Sequence, residues 1–399
     1  MALGVTMLQK NQFAVSREGM FYLFVMFFVM SGAFLREINL LLMLMGMMIG
    51  IFVFNWFAVT TTLNRLAVQR KLPERICVGD LLIVELSLTN GRSRTDSWAV
   101  TLEDQIRRLE SDSEESSQVV HVMATHVRAG ETHRLTFRGR LMQRGHYEFG
   151  PIRISTRFPL GLLRRSIQTD CVDRLVVYPQ VGQLTRRWNQ LVQSQRVGSR
   201  QTRHRYGFVE GDFYGLRDWR SGDSRHWIHW RTSAKRGSLK VCQFEQQCNQ
   251  NLALLVDLWT PSVMNSTETD PCERAISFAA TVIEDMCHRG GSQILLGIAG
   301  KQVRCVWGPA STGLMYEVMD YLAGAVSSHV DRLPELVSQA TERMTPGMRI
   351  VILGTRPVDL SDTERFSDLW NNPHKRNIAG QVVSIDVTNV EDREYFYFE

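Results

Sequence analysis

NLALLVD, residues Asn251–Asp257, is an unbroken apolar run that closes on a carboxylate. A stretch this short and this uniformly apolar reads as a strand covered on both faces, the pattern of a parallel sheet flanked by helices. Moving toward the C-terminus, Cys272 to Arg289 places Ile276, Ala280, Ile283 and Cys287 at helical spacing, and Gly290-Gly291 ends that helix. QILLGIA (Gln293–Ala299) and QVRCVW (Gln302–Trp307) read as strands around Gly300-Lys301. Helical periodicity returns at Leu314–Ala325 and Leu333–Arg343, RIVILG (Arg349–Gly354) is a further buried strand, Thr363–Trp370 a helix, and Gln381–Val387 a last strand. Alternating β and α elements predict an α/β doubly wound domain over residues 251–399.

The preceding connector, residues 181–250, has a different composition. Between Gln183 and Lys240 thirteen Lys and Arg face four acids, a local excess larger than the net +5 of the whole chain. Thr185 to Arg205, polar and basic, is expected to be extended and mobile. Gly211 to Arg231 packs three tryptophans, four arginines and three aspartates into 21 residues. Guanidinium planes stack on indole rings and fork onto carboxylates, so this mixture is expected to form a rigid, partly buried network. On that reading Arg217→Ala, Asp223→Ala and Trp230→Ala each lower the melting temperature. A partner-docking surface is the competing reading. A nucleic-acid patch is the third, and the interspersed aspartates, which repel phosphate, count against it.

Residues 61–180 show period-two patterning instead. LLIVELSLT (Leu81–Thr89) alternates Leu82, Val84, Leu86 and Leu88 with more exposed positions; Trp98–Leu102, Val119–Val122, His133–Leu141 and His146–Ile154 continue the pattern. Turn residues at Gly79-Asp80, Asn90-Gly91, Ala129-Gly130 and Arg144-Gly145 separate them. Short strands at this spacing predict an immunoglobulin-like β-sandwich. Glu110–Gln118, acidic and serine-rich, reads as a mobile loop.

The first 60 residues carry two uncharged runs, Met20–Leu35 and Ile38–Val59, parted by Arg36-Glu37. They predict a two-helix transmembrane hairpin with helices at about 20–35 and 38–59. At 16 residues the first spans only if the bilayer thins or its flanks sit at the interfaces. A signal peptide lacks its cleavage site here, and a soluble core hairpin would need a polar face. Lys10 and Arg17 before the hairpin, and Arg65, Arg70, Lys71 and Arg75 after it, put both flanks in the cytoplasm. Seven widely spaced cysteines without a C-x-x-C pair fit neither a disulfide framework nor a zinc site and agree with a reducing compartment.

The run LRDWRSGDSRHWIHWRTSAKRGSL, Leu216–Leu239, resembles the signature of the bacterial domain-of-unknown-function 58 family. Trp219 stands for the usual tyrosine, Ser224 for a second aspartate, His229 for the aspartate before Trp230, and Gln243–Gln247 for a glutamate-rich strand end. Arg157–Leu162 and Val177-Tyr178-Pro179 are similar to the family as well, so the likeness extends over roughly residues 60–310. It makes Arg217, Asp218, Trp219, Gly222, Asp223, Arg225, Trp230 and Arg231 the candidate docking residues.

The resemblance also implies a von Willebrand A-like C-terminal domain. Such domains hold Mg²⁺ on D-x-S-x-S, one carboxylate with two hydroxyls. The corresponding stretch is Asp257-Leu258-Trp259-Thr260-Pro261, in which Trp259 and Pro261 occupy both hydroxyl positions. Asp257 and Thr260, with Ser262 and Thr312 as substitutes, are all that is left for a metal, so no metal and no cofactor is expected.

The family setting implies a partner, a MoxR-type AAA+ ATPase. The expectation is therefore a scaffold or adaptor in the bacterial inner membrane that holds its soluble domains in the cytoplasm. It would assemble or mature protein complexes, without catalysis and without nucleic acid. Two alternatives stand beside it: a metal-dependent adhesion receptor, and a hydrolase pairing Cys242 or Cys287 with His226, His229 or His288. No P-loop, G-x-G-x-x-G, H-E-x-x-H or nucleophile-elbow motif supports the enzyme.

Overall fold

Ser16 fixes where the first long helix begins. Its Oγ accepts the Gly19 N–H at 3.0 Å, an N-cap that satisfies an otherwise orphaned donor. In the computed structural model β1 (Lys10–Val15) precedes that cap, α1 (Arg17–Arg36) follows it, and α2 (Asn39–Thr62) returns. The structure describes residues 10–36, 38–110, 117–194, 213–221, 223–244, 251–261, 270–345, 348–367, 370, 382–389 and 395–398. The chain divides into two compact units, Met1–Gln180 with Met319–Ala325, and Val181–Val318 with Val326–Glu399.

In the first unit α1 has 20 residues, about 30 Å at 1.5 Å per residue, rather than the 16 of its uncharged run. The cap adds a turn that hydropathy alone leaves out. Both helices are long and apolar enough to cross a membrane. Their large apolar side chains point outward, Phe21 at 75% exposure and Leu40 at 76%, the opposite of a core hairpin.

The strands that follow are β2 (Leu66–Lys71), β3 (Ile76–Cys77), β4 (Leu81–Asn90), β5 (Ser97–Arg108), β6 (Gln118–Val127), β7 (Thr132–Arg140), β8 (Gly145–Thr156), β9 (Leu163–Thr169) and β10 (Asp173–Tyr178). One sheet runs β2-β4-β7; the other runs β1-β9-β8-β10-β3, with β5 joined to β8 and β6 to β5. Leu82, Val84, Leu86 and Leu88 are buried on alternate positions of β4 and share a core with Val100, Leu102, Phe149 and Ile152. Inside it, Arg70 reaches Asp104 at 2.5 Å, Asp173 at 2.7 Å and the Phe149 carbonyl at 3.1 Å. Burial pushes the Asp104 carboxyl up and the adjoining guanidinium pulls it down, so one buried cation ties four strands together. Of the expected loop Glu110–Gln118, residues 111–116 lie outside the described residues.

The hairpin and the sandwich are joined at both helix ends. β1 pairs antiparallel with β9, Lys10 opposite Gln168 through Val15 opposite Leu163. The last carbonyls of α2 accept from the sandwich: Thr61 O from Arg92 at 2.5 Å, Thr62 O from Ser97 at 3.0 Å, and Thr60 O from Arg165. Cations at a helix C-terminus satisfy orphan acceptors and the helix dipole together.

The second unit contains β11 (Gln183–Leu184), α3 (Arg186–Ser194), β12 (Phe213–Asp218), α4 (Trp230–Arg236), β13 (Lys240–Phe244), β14 (Leu252–Asp257), α5 (Pro271–Arg289), β15 (Gln293–Ala299), β16 (Val303–Pro309), α6 (Thr312–Ala323) as far as Val318, α7 (Leu333–Arg343), β17 (Arg349–Gly354), β18 (Val382–Asp386) and β19 (Phe396–Tyr397). Its main sheet has the order β16-β15-β14-β17-β18, parallel except for β16. On one face Ala253, Leu255, Leu295 and Ile352 pack with Leu333, Leu336 and Ala340 of α7. The alternating Leu252, Leu254 and Val256 turn to the other face. There α5 buries Ile276, Ala279, Ala280 and Ile283.

Two expectations need correction. Thr185–Arg205 is not extended throughout, because α3 forms over Arg186–Ser194 and buries Trp188 edge-to-face on Phe278 at 5.3 Å. Trp188, Leu191 and Val192 make a one-sided stripe that the surrounding charges hide. Within Thr363–Trp370, Thr363–Phe366 forms a turn, Ser367 and Trp370 are helical with Trp370 N–H donating to the Phe366 carbonyl at 3.2 Å, and residues 368 and 369 lie outside the described residues, so the helix starts later than expected.

Candidate functional site

The signature folds into a small unit of its own. β12 and β13 pair antiparallel, Leu216 opposite Cys242 and Asp218 opposite Lys240, with a single turn of 3-10 helix (Arg225–Trp227) and α4 between them. α4 starts on His229, whose Nδ1 accepts the Thr232 N–H at 3.3 Å, and ends on Gly237 at φ 68°, where a left-handed residue closes the helix. Ser233 Oγ accepts the Lys240 N–H at 2.8 Å and pins α4 to β13.

The two described aspartates of the signature are consumed internally. Arg217 forks onto Asp223 with both Nη–O distances at 2.6 Å, and the Arg220 N–H adds a third bond at 2.8 Å. Held by Arg217 first and then by that backbone donor, the Asp223 carboxyl falls to about 2. Lys240 Nζ reaches Asp218 at 2.6 Å and lowers its carboxyl likewise.

The tryptophans do not join this network as a buried stack. Trp219 is 37% exposed, Trp227 39% and Trp230 65%. Trp230→Ala is therefore not expected to lower the melting temperature as Arg217→Ala or Asp223→Ala would. Arg220, Arg225, Arg231, Lys235 and Arg236 are exposed around them. Gly222 lies outside the described residues. The unit thus neutralises its own acids and presents indoles and cations outward.

Asp257 sits at the end of β14, 1% exposed. Its Oδ2 accepts from Arg356 Nε at 3.2 Å, and the Arg356 guanidinium lies 4.6 Å over the Trp259 ring. Arg356 also holds Asp331 at 2.6 Å, and Arg365 holds the same carboxylate at 2.7 Å. Burial raises the Asp257 carboxyl against the pull of Arg356. At Asp331 burial acts in the same sense, but the Arg365 hydrogen bond and both guanidinium charges outweigh it and leave the carboxyl low.

Thr260 is buried, with its carbonyl accepting from His329 and its N–H donating to Ser328 O at 3.0 Å. Thr312 opens α6, exposed, and Ser262 lies outside the described residues. A divalent ion does not fit this donor set. The one buried carboxylate already holds a cation, and Trp259, through its Nε1–H, is bound to the His329 carbonyl at 3.0 Å. Arg356 escapes a reading of the D-x-S-x-S stretch because it lies 99 residues away in sequence.

Of the cysteine–histidine candidates, His229, His288 and Cys287 sit in settings that oppose the pairing. His229 caps α4, His288 Nδ1 lies 2.8 Å from the Glu284 carbonyl, and burial pushes the Cys287 thiol up, away from the reactive thiolate.

Comparison with known proteins gives three kinds of similarity. The uncharacterized protein YeaD of Bacillus subtilis (strain 168) is 28% identical over 160 residues, 40% of this chain and 37% of that relative. Its aligned part is thus well under half of its length. Among solved structures, the CARDB domain of a Pyrococcus furiosus protein, crystallised with di-metal ions, is 16% identical, with 28% of this chain and 86% of that one covered at a TM-score of 0.19. The sporulation control protein Spo0M of Bacillus subtilis is 12% identical, with 33% and 56% covered at 0.18. Scores this low carry no argument. The stretch that holds the ion-paired unit, β14 and the start of α7, residues 215–335, matches the family described as "Protein of unknown function DUF58".

Proposed function

We propose that the chain is a membrane-tethered scaffold or adaptor with a von Willebrand A-like domain, facing the bacterial cytoplasm and docking a partner on its signature unit. The observation that carries this reading is the exposure of Trp219, Trp227 and Trp230 on a unit whose aspartates are already paired. Exposed indoles beside exposed arginines are the composition of an interface centre. The outward-facing apolar helices support the tether, and the strand order with β16 antiparallel supports the von Willebrand A-like assignment. Against a metal-dependent receptor stands the Arg356–Asp257 pair, and against a hydrolase built on Cys287 its partial burial and raised thiol.

The family resemblance favours a MoxR-type AAA+ ATPase as the partner. Affinity purification of the full chain from mild detergent tests it. The ATPase should be enriched with the wild type and lost, about tenfold or more, with Trp230→Ala at unchanged melting temperature, since a well-packed interface tryptophan contributes about 2 kcal/mol or more. Equal recovery with Trp230→Ala would move the docking surface elsewhere; recovery of no ATPase would remove the adaptor reading.

A further inference from the structure

At the foot of the hairpin the loop Arg157–Leu162, between β8 and β9, is fastened to both helices. The Leu160 N–H donates to Asn55 Oδ1 at 3.2 Å, and Asn55 is fully buried in α2. Ser16 Oγ donates to the Leu162 carbonyl at 2.9 Å, and a Cβ on Gly19 would stand 2.1 Å from that same oxygen, so only glycine lets α1 approach. Asn55 lies seven residues before the end of α2, about 10 Å along a helix of about 36 Å, whereas a hydrocarbon core is about 30 Å thick. With the end of α2 outside the core, the loop stands at the level where hydrocarbon gives way to headgroups. Trp56, stacked on Phe13 at 5.5 Å, and Trp98, stacked on Phe158 at 6.1 Å, are 49% and 44% exposed, in keeping with the aromatic belt of that zone.

A groove of about 690 Å³ opens beside this loop. Arg157, Arg164 and His121 line its polar side, and Met123, Phe158 and Leu160 its apolar side. Glu103, the acid in it, is shared by Arg164, by Arg153 at 3.9 Å and by His121 at 4.0 Å, while the exposed Arg157 lies outside that cluster, within reach of the charge of Glu18 on α1. Met123 and Leu160 are 56% and 50% exposed, an unfavourable arrangement in water and a favourable one against acyl chains.

We propose that this groove binds the headgroup of an anionic phospholipid, with the phosphate on Arg157 and the upper acyl chain against Phe158 and Leu160. The proposal rests on the hairpin being embedded in a bilayer and is independent of the partner on the signature unit.

The full chain in a neutral detergent tests it by melting temperature with added phosphatidylglycerol, phosphatidylcholine or inorganic phosphate. Phosphatidylglycerol should raise the melting temperature by several degrees, and phosphatidylcholine and phosphate should not. Arg157→Glu should lose most of the rise, whereas Arg138→Glu, an exposed cation on β7, should keep it. An equal rise with phosphatidylcholine, an equal rise with phosphate, or equal loss in both variants would each overturn the assignment. A separate arm, sedimentation of membranes after alkaline carbonate, isolates the premise. Release of the wild type would refute the embedded hairpin, whereas retention without lipid selectivity would refute only the groove.

Discussion

At Asp257 a carboxylate leaves solvent with Arg356 as its counter-charge, so deleting the guanidinium strands a buried anion. Arg356→Ala should destabilise the full chain by about 3 kcal/mol in urea unfolding, and Asp257→Asn in the same background should recover part of that loss. Asp223 gives the opposite electrostatic case. Its folded carboxyl lies near 2, below the ordinary value of about 3.9, so its pairing with Arg217 stabilises fully above the ordinary value. That contribution is lost as pH falls from about 4 through about 2. The melting-temperature difference between wild type and Asp223→Asn should therefore shrink over that window and be flat above pH 5. Reading single residues from sequence reaches as far as local spacing allows. Trp259 and Pro261 announce the altered metal motif within five positions, but Arg356 comes from another strand end, and only the sheet brings it to Asp257.

Elements were legible where their periodicity was clean. The alternation of Leu82, Val84, Leu86 and Leu88 marks β4, and the apolar blocks mark β14, β15 and β17, because burial on one face or two leaves a direct imprint on composition. α3 was missed because two arginines and a run of amides outweigh its short apolar stripe. Trp188 anchors it at 3% exposure against α5, so Trp188→Ala should cost about 3 kcal/mol and detach α3. Amide exchange over Arg186–Ser194 would read the detachment directly; unchanged protection would mean the helix stands without its anchor. The start of α1 was misjudged for a related reason. Helix ends are set by caps such as Ser16, which hydropathy does not register.

For the molecule as a whole, the pairing of β1 with β9 places the segment before the hairpin and the sandwich after it on one side of any bilayer that the hairpin crosses. Compartment-sensitive reporters fused at the N-terminus and after Glu399 should give the same reading, and opposite readings would break the hairpin topology. The flanking cations point the same way, but the strand itself was invisible in sequence, since its partner lies about 150 residues downstream and no local pattern encodes so distant a register.

That distance has a consequence for synthesis. Both hydrophobic segments emerge from the ribosome well before β9 exists, so the leading strand must wait, unpaired, until residues 163–169 are translated. The clasp that locks the hairpin to the sandwich is thus among the last joints of this half of the protein to close.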